Sequence, residues 1–166
     1  DENTVHDEFV LNTVKALGVT KPAWAADYFR MNKANALAAL KRLHQRDALL
    51  TVAVEGWNTP GYLHPDHRGL VESAAEGILP QAHTTLLSPF DPIVWDRGRA
   101  LELFGFDYRI ECYTAAPKRK YGYFTLPVLC GNRLIGRLDP KAHRQAGIFE
   151  VKAFHLEPGM TLEKKQ

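Results

Sequence analysis

Two cysteines, Cys112 and Cys130, are all that this chain of 166 residues contains. Both stand in apolar, strand-like stretches, so two buried, reduced thiols are expected and a disulfide framework is not. No apolar run approaches the roughly 20 residues that cross a membrane as a helix. No membrane partner is expected, and the expected location is cytoplasmic. Net charge is only +2, too little by itself to argue for a polyanionic partner. A nucleotide-binding loop is missing too: Gly131 to Gly136 has the glycine spacing, but Arg137-Leu138 stands where Lys-Ser/Thr is needed. There is no Gly-x-Ser-x-Gly elbow, and neither cysteine lies in an electropositive loop suited to a nucleophile. His64-x-Asp66-His67 has the look of a metal cluster. Pro65 followed by an acid is also an ordinary helix start, and no Cys or further His stands at a ligand spacing. No metal and no small-molecule cofactor are expected.

What is present is a globular composition, 45% apolar and 24% charged, with its charge unevenly placed. Residues 1–83 hold eight Lys/Arg against ten Asp/Glu, and residues 84–166 hold thirteen against nine. Phosphate neutralisation needs local cations, so a nucleic acid would be met by the second half.

Helical periodicity fills the first half. A helix over 6–17 buries Phe9, Val10, Thr13, Val14 and Leu17 and stops at Gly18. A shorter one, 22–30, starts on Pro22 and buries Trp24, Ala25, Tyr28 and Phe29. A third, about 33–46, has Asn32 as its N-cap and Ala36, Leu37, Leu40 and Leu43 as its buried stripe. A strand over 49–54, a turn at Trp57-Asn58-Thr59-Pro60-Gly61 and a return strand at Tyr62-Leu63-His64 follow. Three helices and a hairpin are the winged-helix order, in which the third helix can enter a major groove. A further helix runs to about Glu76, and Gly77 to Gln81 closes the domain.

From residue 84 the period is two. Strands are expected over 108–113, 123–130, 133–139 and 148–156, with a short helix over 99–104 and a Gly131-Asn132 hairpin turn. Leu134 and Leu138 are placed on one face of their strand and Arg133 and Arg137 on the other, before Asp139-Pro140 breaks it. In the last strand Phe149, Val151 and Ala153 face inward and Glu150 and Lys152 outward. The tail Lys164-Lys165-Gln166 is expected to fray. The fold class is therefore α+β: a winged helix-turn-helix over 1–80, then a small antiparallel β-barrel or sandwich over 81–166.

Two loops spend stiff, chemically capable residues at once. Ser88-Pro89-Phe90-Asp91-Pro92-Ile93-Val94-Trp95-Asp96-Arg97 brackets an aspartate with prolines. Ala116-Pro117-Lys118-Arg119-Lys120-Tyr121-Gly122-Tyr123 sets three cations in line between Pro and Tyr. Together they point to a rigid site that meets a polyanion.

These strings also carry a resemblance. LLSPFDPIVWDR, FDYRIECYTAAPKRKYGYF, LPVLCGNRLIGRLD and AHRQAGIFEV, in that order over Leu86 to Val151, resemble the C-terminal part of the YcaQ/AlkZ family of bacterial winged-helix DNA glycosylases. The resemblance implies tandem winged helices followed by a β-barrel, with removal of alkylated bases or unhooking of interstrand crosslinks. It implies double-stranded DNA as partner and a monomer. The family's catalytic Gln-aliphatic-Gln or Gln-aliphatic-Asp motif has no counterpart here: Gln45-Arg46-Asp47 has the outer letters, but Arg46 is not aliphatic. No catalytic residue is therefore assigned. With Asp1 rather than Met in first place, the expectation is the C-terminal piece of a longer enzyme, which alone binds DNA weakly and cleaves nothing.

Each candidate residue has a plainer alternative. Lys33, Asn35, Lys41, Arg42, His44 and Arg46 line the polar side of the third helix, for phosphates and base edges or as an ordinary solvated face. Trp57 stacks on a base or covers its own hairpin. Lys118, Arg119, Lys120 and Tyr121 track a phosphate backbone, or form a solubilising hairpin tip. His143 and Arg144, in an expected turn, touch phosphate or nothing. Asp91, Trp95, Asp96 and Arg97 wall an active site, since glycosidic cleavage develops positive charge that a carboxylate stabilises. Alternatively Asp91 receives backbone amides and Asp96 pairs with Arg97. Two rivals remain: a dimeric winged-helix regulator whose barrel senses a ligand or partner, and a protein-docking module.

Overall fold

Asp1 takes the Asn3 amide on its carboxylate at 3.2 Å, and the chain enters α1, Glu2–Leu17. A computed structural model describes residues 1–161, so the tail Lys164-Lys165-Gln166 lies outside the described residues. α1 begins four residues before its apolar periodicity does. Its first turn is polar, but it has a cap and Glu2 at the positive end of the helix. Gly18, at φ 78, ends it. Then come β1 (Val19–Thr20), α2 (Pro22–Tyr28), α3 (Lys33–Gln45), β2 (Leu50–Val52) and β3 (Gly61–Leu63). A 3-10 turn, Pro65–His67, leads into α4 (Arg68–Ala75). Asn32 caps α3 as expected, receiving the Ala34 amide at 2.8 Å.

The chain divides into two units, Asp1–Leu79 and Pro80–Gln166. The core of the first comprises Val10, Val14, Ala25, Ala26, Ala36, Ala39, Leu40, Leu43 and Leu49. On α3 the buried arc is Ala36, Ala39, Leu40, Leu43, a strict i, i+3, i+4, i+7 stripe. Leu37, expected in that stripe, lies off the arc and is 37% exposed. Phe9 and Phe29, also expected inside, stay partly in solvent and stack on each other at 4.7 Å. The three short strands form an antiparallel sheet in the order β1-β3-β2. A Cβ on Gly61, which pairs with Val52 of β2, would meet Val19 Cγ1 of β1 at 2.6 Å, so a side chain there would force its neighbours to shift.

The second unit holds β4 (Thr84–Leu86), α5 (Arg97–Phe104), β5 (Leu126–Cys130), β6 (Arg133–His143) and β7 (Ile148–Leu156). They form one antiparallel sheet in the order β4-β5-β6-β7. Among the described residues this sheet is open, with β4 and β7 as edges, so where a small barrel or sandwich was expected the strands form one antiparallel sheet that does not close into a barrel. Its core is Leu87, Val94, Phe106, Tyr108, Leu129 and Leu134. Gly131, at φ 61, makes the β5–β6 turn.

Five expectations for the strands need correction. Tyr108 to Tyr113 is not a strand; Tyr108 is held by its hydroxyl, which donates to the Thr125 carbonyl at 2.6 Å, instead of by a ladder. β5 begins only at Leu126. Pro140 does not end β6, because a bulge between Asp139 and Pro140 absorbs the missing N–H and the strand continues to His143. The same bulge leaves Lys152 unpaired. Val151 and Ala153 therefore fall on opposite faces, and Phe149 and Val151 end 57% and 53% exposed rather than inward. Arg137, placed on the solvent face by simple alternation, is 1% exposed.

Both cysteines are free, as expected, but not buried: Cys130 ends β5 beside the turn and is exposed, and Cys112 is half-buried. Among the described residues no helix is long and apolar enough to cross a membrane.

Candidate nucleic-acid interface

The proline-rich loop is a self-bonded frame. Ser88 Oγ accepts the Phe90 amide at 3.2 Å, and the Ser88 carbonyl accepts the Asp91 amide at 2.9 Å. Asp91 Oδ1 then receives the Ile93 amide at 2.9 Å, while its carbonyl accepts the amides of Val94 and Trp95. Prolines at 89 and 92 fix φ on either side, so the turn is stiff before any tertiary contact forms. Asp96 caps α5, taking the Arg99 amide on Oδ1 at 3.1 Å. Its ionic partner is Arg99, with Nη1 3.8 Å from Oδ2. That corrects the expected Asp96–Arg97 pair: a cap residue faces the amide three positions on, and the side chain there is Arg99. Buried Arg99 also donates to the Pro92 carbonyl. Val94 enters the core, whereas Phe90, Trp95 and Arg97 remain exposed.

The basic loop is seated on the sheet rather than standing at a hairpin tip. Pro117 and Lys118 belong to a 3-10 turn, Ala116–Lys118. Arg119 Nε donates to the Thr114 carbonyl at 2.9 Å, and its guanidinium lies 4.9 Å from the Tyr123 ring centre. Lys120 Nζ stands 4.7 Å over Tyr121, and a side-chain hydrogen bond with Tyr121 holds the Lys120 pKa above its ordinary value. Tyr121 in turn covers the Arg137 guanidinium at 4.1 Å and meets His155 edge-on at 5.3 Å. Arg137 and His155 are direct partners across β6 and β7 and share a face of the sheet. Arg137 donates to Glu157 Oε1 from Nε at 3.1 Å and to the Asp107 carbonyl from Nη1 at 3.1 Å. Phe106 covers its other side at 4.5 Å. A desolvated guanidinium paired, hydrogen-bonded and stacked on two rings is thus the floor beneath the basic loop.

Glu111 completes this seat. Its carboxylate accepts the amides of Lys120, Tyr121 and Gly122 at 2.7–3.2 Å. Burial pushes its pKa up, but those three amides and nearby Arg137 outweigh it and hold the carboxyl below its usual range. Gly122, at φ 139, lies so close to the Asp139 carboxylate that any side chain there would overlap it. Neither Glu111 nor Arg137 stood out in the sequence. The one local signal was Gly122 between two tyrosines, a mark of special backbone geometry.

Past Leu138, which pairs with Leu126 at the start of β5, β6 has only β7 beside it. The two form a protruding ribbon closed by a 3-10 turn, Arg144–Ala146. Arg144 is exposed at its tip. His143 Nε2 lies 2.8 Å from Glu150 Oε2, and His143 lowers the Glu150 pKa.

In the first unit the α3 cations divide. Arg42 donates to Asp7 Oδ1 from Nη2 at 2.6 Å, and Arg46 approaches Oδ2 at 3.3 Å, so both clamp a buried carboxylate of α1. His44 Nδ1 meets the Leu49 carbonyl at 3.1 Å, which fixes the proton on that nitrogen. Lys33 and Lys41 are exposed. Trp57 packs edge-on against Trp24 at 5.0 Å, with Lys21 Nζ 4.3 Å above its ring. Asp66, in the His64-x-Asp66-His67 string, is bound to Lys15 at 2.7 Å, and that hydrogen bond lowers its pKa against the opposing effect of burial.

A family model described as DNA glycosylase AlkZ-like matches residues 1–164, and the chain belongs to that family. No solved structure matches it.

Proposed function

We propose that this chain is the duplex-gripping portion of a DNA glycosylase acting on alkylated or crosslinked DNA. The observation that carries the reading is the run Lys118-Arg119-Lys120, held on a rigid seat in a member of a DNA glycosylase family. Three neighbouring cations of fixed geometry suit a line of phosphates, and each phosphate neutralised releases counterions. Arg144 at the ribbon tip, with His143 behind it, is the second proposed contact.

In this reading residues 1–80 are a winged helix and residues 81–166 a second, β-rich DNA-facing domain. The order α1-β1-α2-α3-β2-β3, with its three-stranded antiparallel sheet, supports the first assignment. Lys33 and Lys41 are the α3 cations proposed to meet phosphate. Arg42 and Arg46 contribute less, because Asp7 already engages them. Trp57 is proposed mainly as hairpin packing, given its contact with Trp24.

Cleavage of an N-glycosidic bond develops positive charge on the sugar, which needs a free carboxylate or an oriented water. Asp91 and Asp96 use oxygens to receive backbone amides. They are therefore proposed, with Trp95 and Arg97, to shape a wall rather than to carry the chemistry. No Gln-aliphatic-Gln or Gln-aliphatic-Asp segment stands in this sequence, so the isolated chain is expected to excise nothing. The test is incubation with alkylated and crosslinked duplexes followed by alkaline cleavage of abasic sites. No strand breaks are expected; product would move the catalytic role to Asp91 or Asp96. A monomer by light scattering belongs to this reading. A dimer that selects a two-fold sequence would favour a regulator instead.

A further inference from the structure

The basic loop has no strand of its own, and its one regular element is the 3-10 turn Ala116–Lys118. Something else must fix residues 119–123. Arg119 and Lys120 repel each other, and an unrestrained run of cations would sample many conformations. Three consecutive amides, those of Lys120, Tyr121 and Gly122, converge on one carboxylate. Successive amides aimed at one point form a nest for an anion. Here the anion is Glu111, nine to eleven residues earlier in the chain. The rest of the seat depends on that grip. With the amides held, Tyr121 lies over Arg137 and Gly122 rests against Asp139. The Arg119 and Lys120 side chains remain outside the nest, each steadied by a tyrosine ring.

We infer that Glu111 is a positioning residue for DNA binding: its carboxylate closes the nest and holds the Lys118–Tyr123 backbone in the form that offers its cations to phosphate. This inference rests on the DNA-binding reading above. It explains why an acidic side chain belongs at the centre of a cationic loop. Its charge is taken up by the loop amides, which it orders, while Lys118 and Lys120 are exposed and Arg119 is partly covered. Because ordering is complete before DNA arrives, little of the binding free energy is lost to it.

Two arms test this on the intact chain. Trypsin cuts after Lys118, Arg119 and Lys120, so cleavage there reports loop opening without any DNA. Glu111→Ala is expected to speed loop cleavage about tenfold while the thermal melt stays close to wild type. Glu111→Gln, which keeps a neutral acceptor, falls between the two, because charge-assisted bonds are stronger. In the second arm, polarisation of a labelled random-sequence duplex at low salt should show about a tenfold loss of affinity for Glu111→Ala and a smaller one for Glu111→Gln. Placed in a background where Lys118, Arg119 and Lys120 are already Ala, Glu111→Ala should cost no further affinity. If Glu111→Ala does not fold, Glu111→Gln decides both arms. Unchanged loop cleavage overturns the inference. So does an affinity that rises when Glu111 is removed, since the carboxylate would then be competing with phosphate for the nest. A wild-type chain that binds no duplex overturns the DNA role itself, and the trypsin arm tells the two failures apart.

Discussion

Arg137 lies 4.1 Å beneath the Tyr121 ring while its Nη2 holds Glu157 Oε1. One buried cation of β6 thus ties Glu157, just past the end of β7, to the loop that carries the exposed Lys118 and Lys120. Removing either partner of a buried pair leaves an uncompensated charge. Arg137→Ala is expected to cost about 3 kcal/mol in urea unfolding, and Glu157→Ala somewhat less because Asp107 and two rings still hold the guanidinium. Both should also weaken DNA binding, because Tyr121 loses its support.

Gly122 is the second constraint on that loop. Its φ of 139 disfavours any side chain, and the Asp139 carboxylate fills the space a Cβ would need. Gly122→Ala is expected to cost about 1–3 kcal/mol in strain. Urea unfolding measures the loss. Shortening Asp139 to Ala in the same chain should recover only the steric share, since the backbone strain remains.

On the first unit, Asp7 is buried and receives both Arg42 and Arg46. Asp7→Asn keeps the shape and removes the charge, and is expected to destabilise by about 1–3 kcal/mol. Arg42→Ala should lower stability more clearly than it lowers DNA affinity. A melt and a polarisation titration on the same protein separate the two effects.

Tyr108 gives a pH signature. Burial pushes its hydroxyl up to about 12, against smaller opposing effects of its bond to Thr125 and of Arg137. A folded pKa above the unfolded one favours the protonated form in the native state. The associated stability is complete below the unfolded value of about 10 and is lost as pH rises from there through about 12. Tyrosinate absorbance should therefore rise in two steps, the later one coinciding with unfolding. Tyr108→Phe should remove that late step.

The helical half was legible because its signals are local. Asn32 before α3, Pro22 opening α2 and Gly18 closing α1 each act within one turn. The β half was less so, because its deciding interactions lie far apart in sequence. Alternation over Tyr108 to Tyr113 suggests a strand, but nothing local shows that Tyr108 would bond Thr125 instead of a neighbouring ladder. A bulge at Lys152 reverses which residues of β7 share a face, and no residue type announces it. Arg137 reads as solvent-facing until Phe106, Tyr121 and Glu157 are brought around it. At the candidate site the cations were visible as a run, whereas their seat on Glu111 and Arg137 was not.

DNA binding by the Lys118-Arg119-Lys120 loop is tested most directly by the salt dependence of duplex binding, wild type against the triple alanine variant. The expected result is an affinity that falls steadily with salt in the wild type, with a log–log slope that shrinks by up to about 2.7 when the three cations are removed. A wild-type chain without salt-dependent affinity, or a variant with the same slope and affinity, would contradict it.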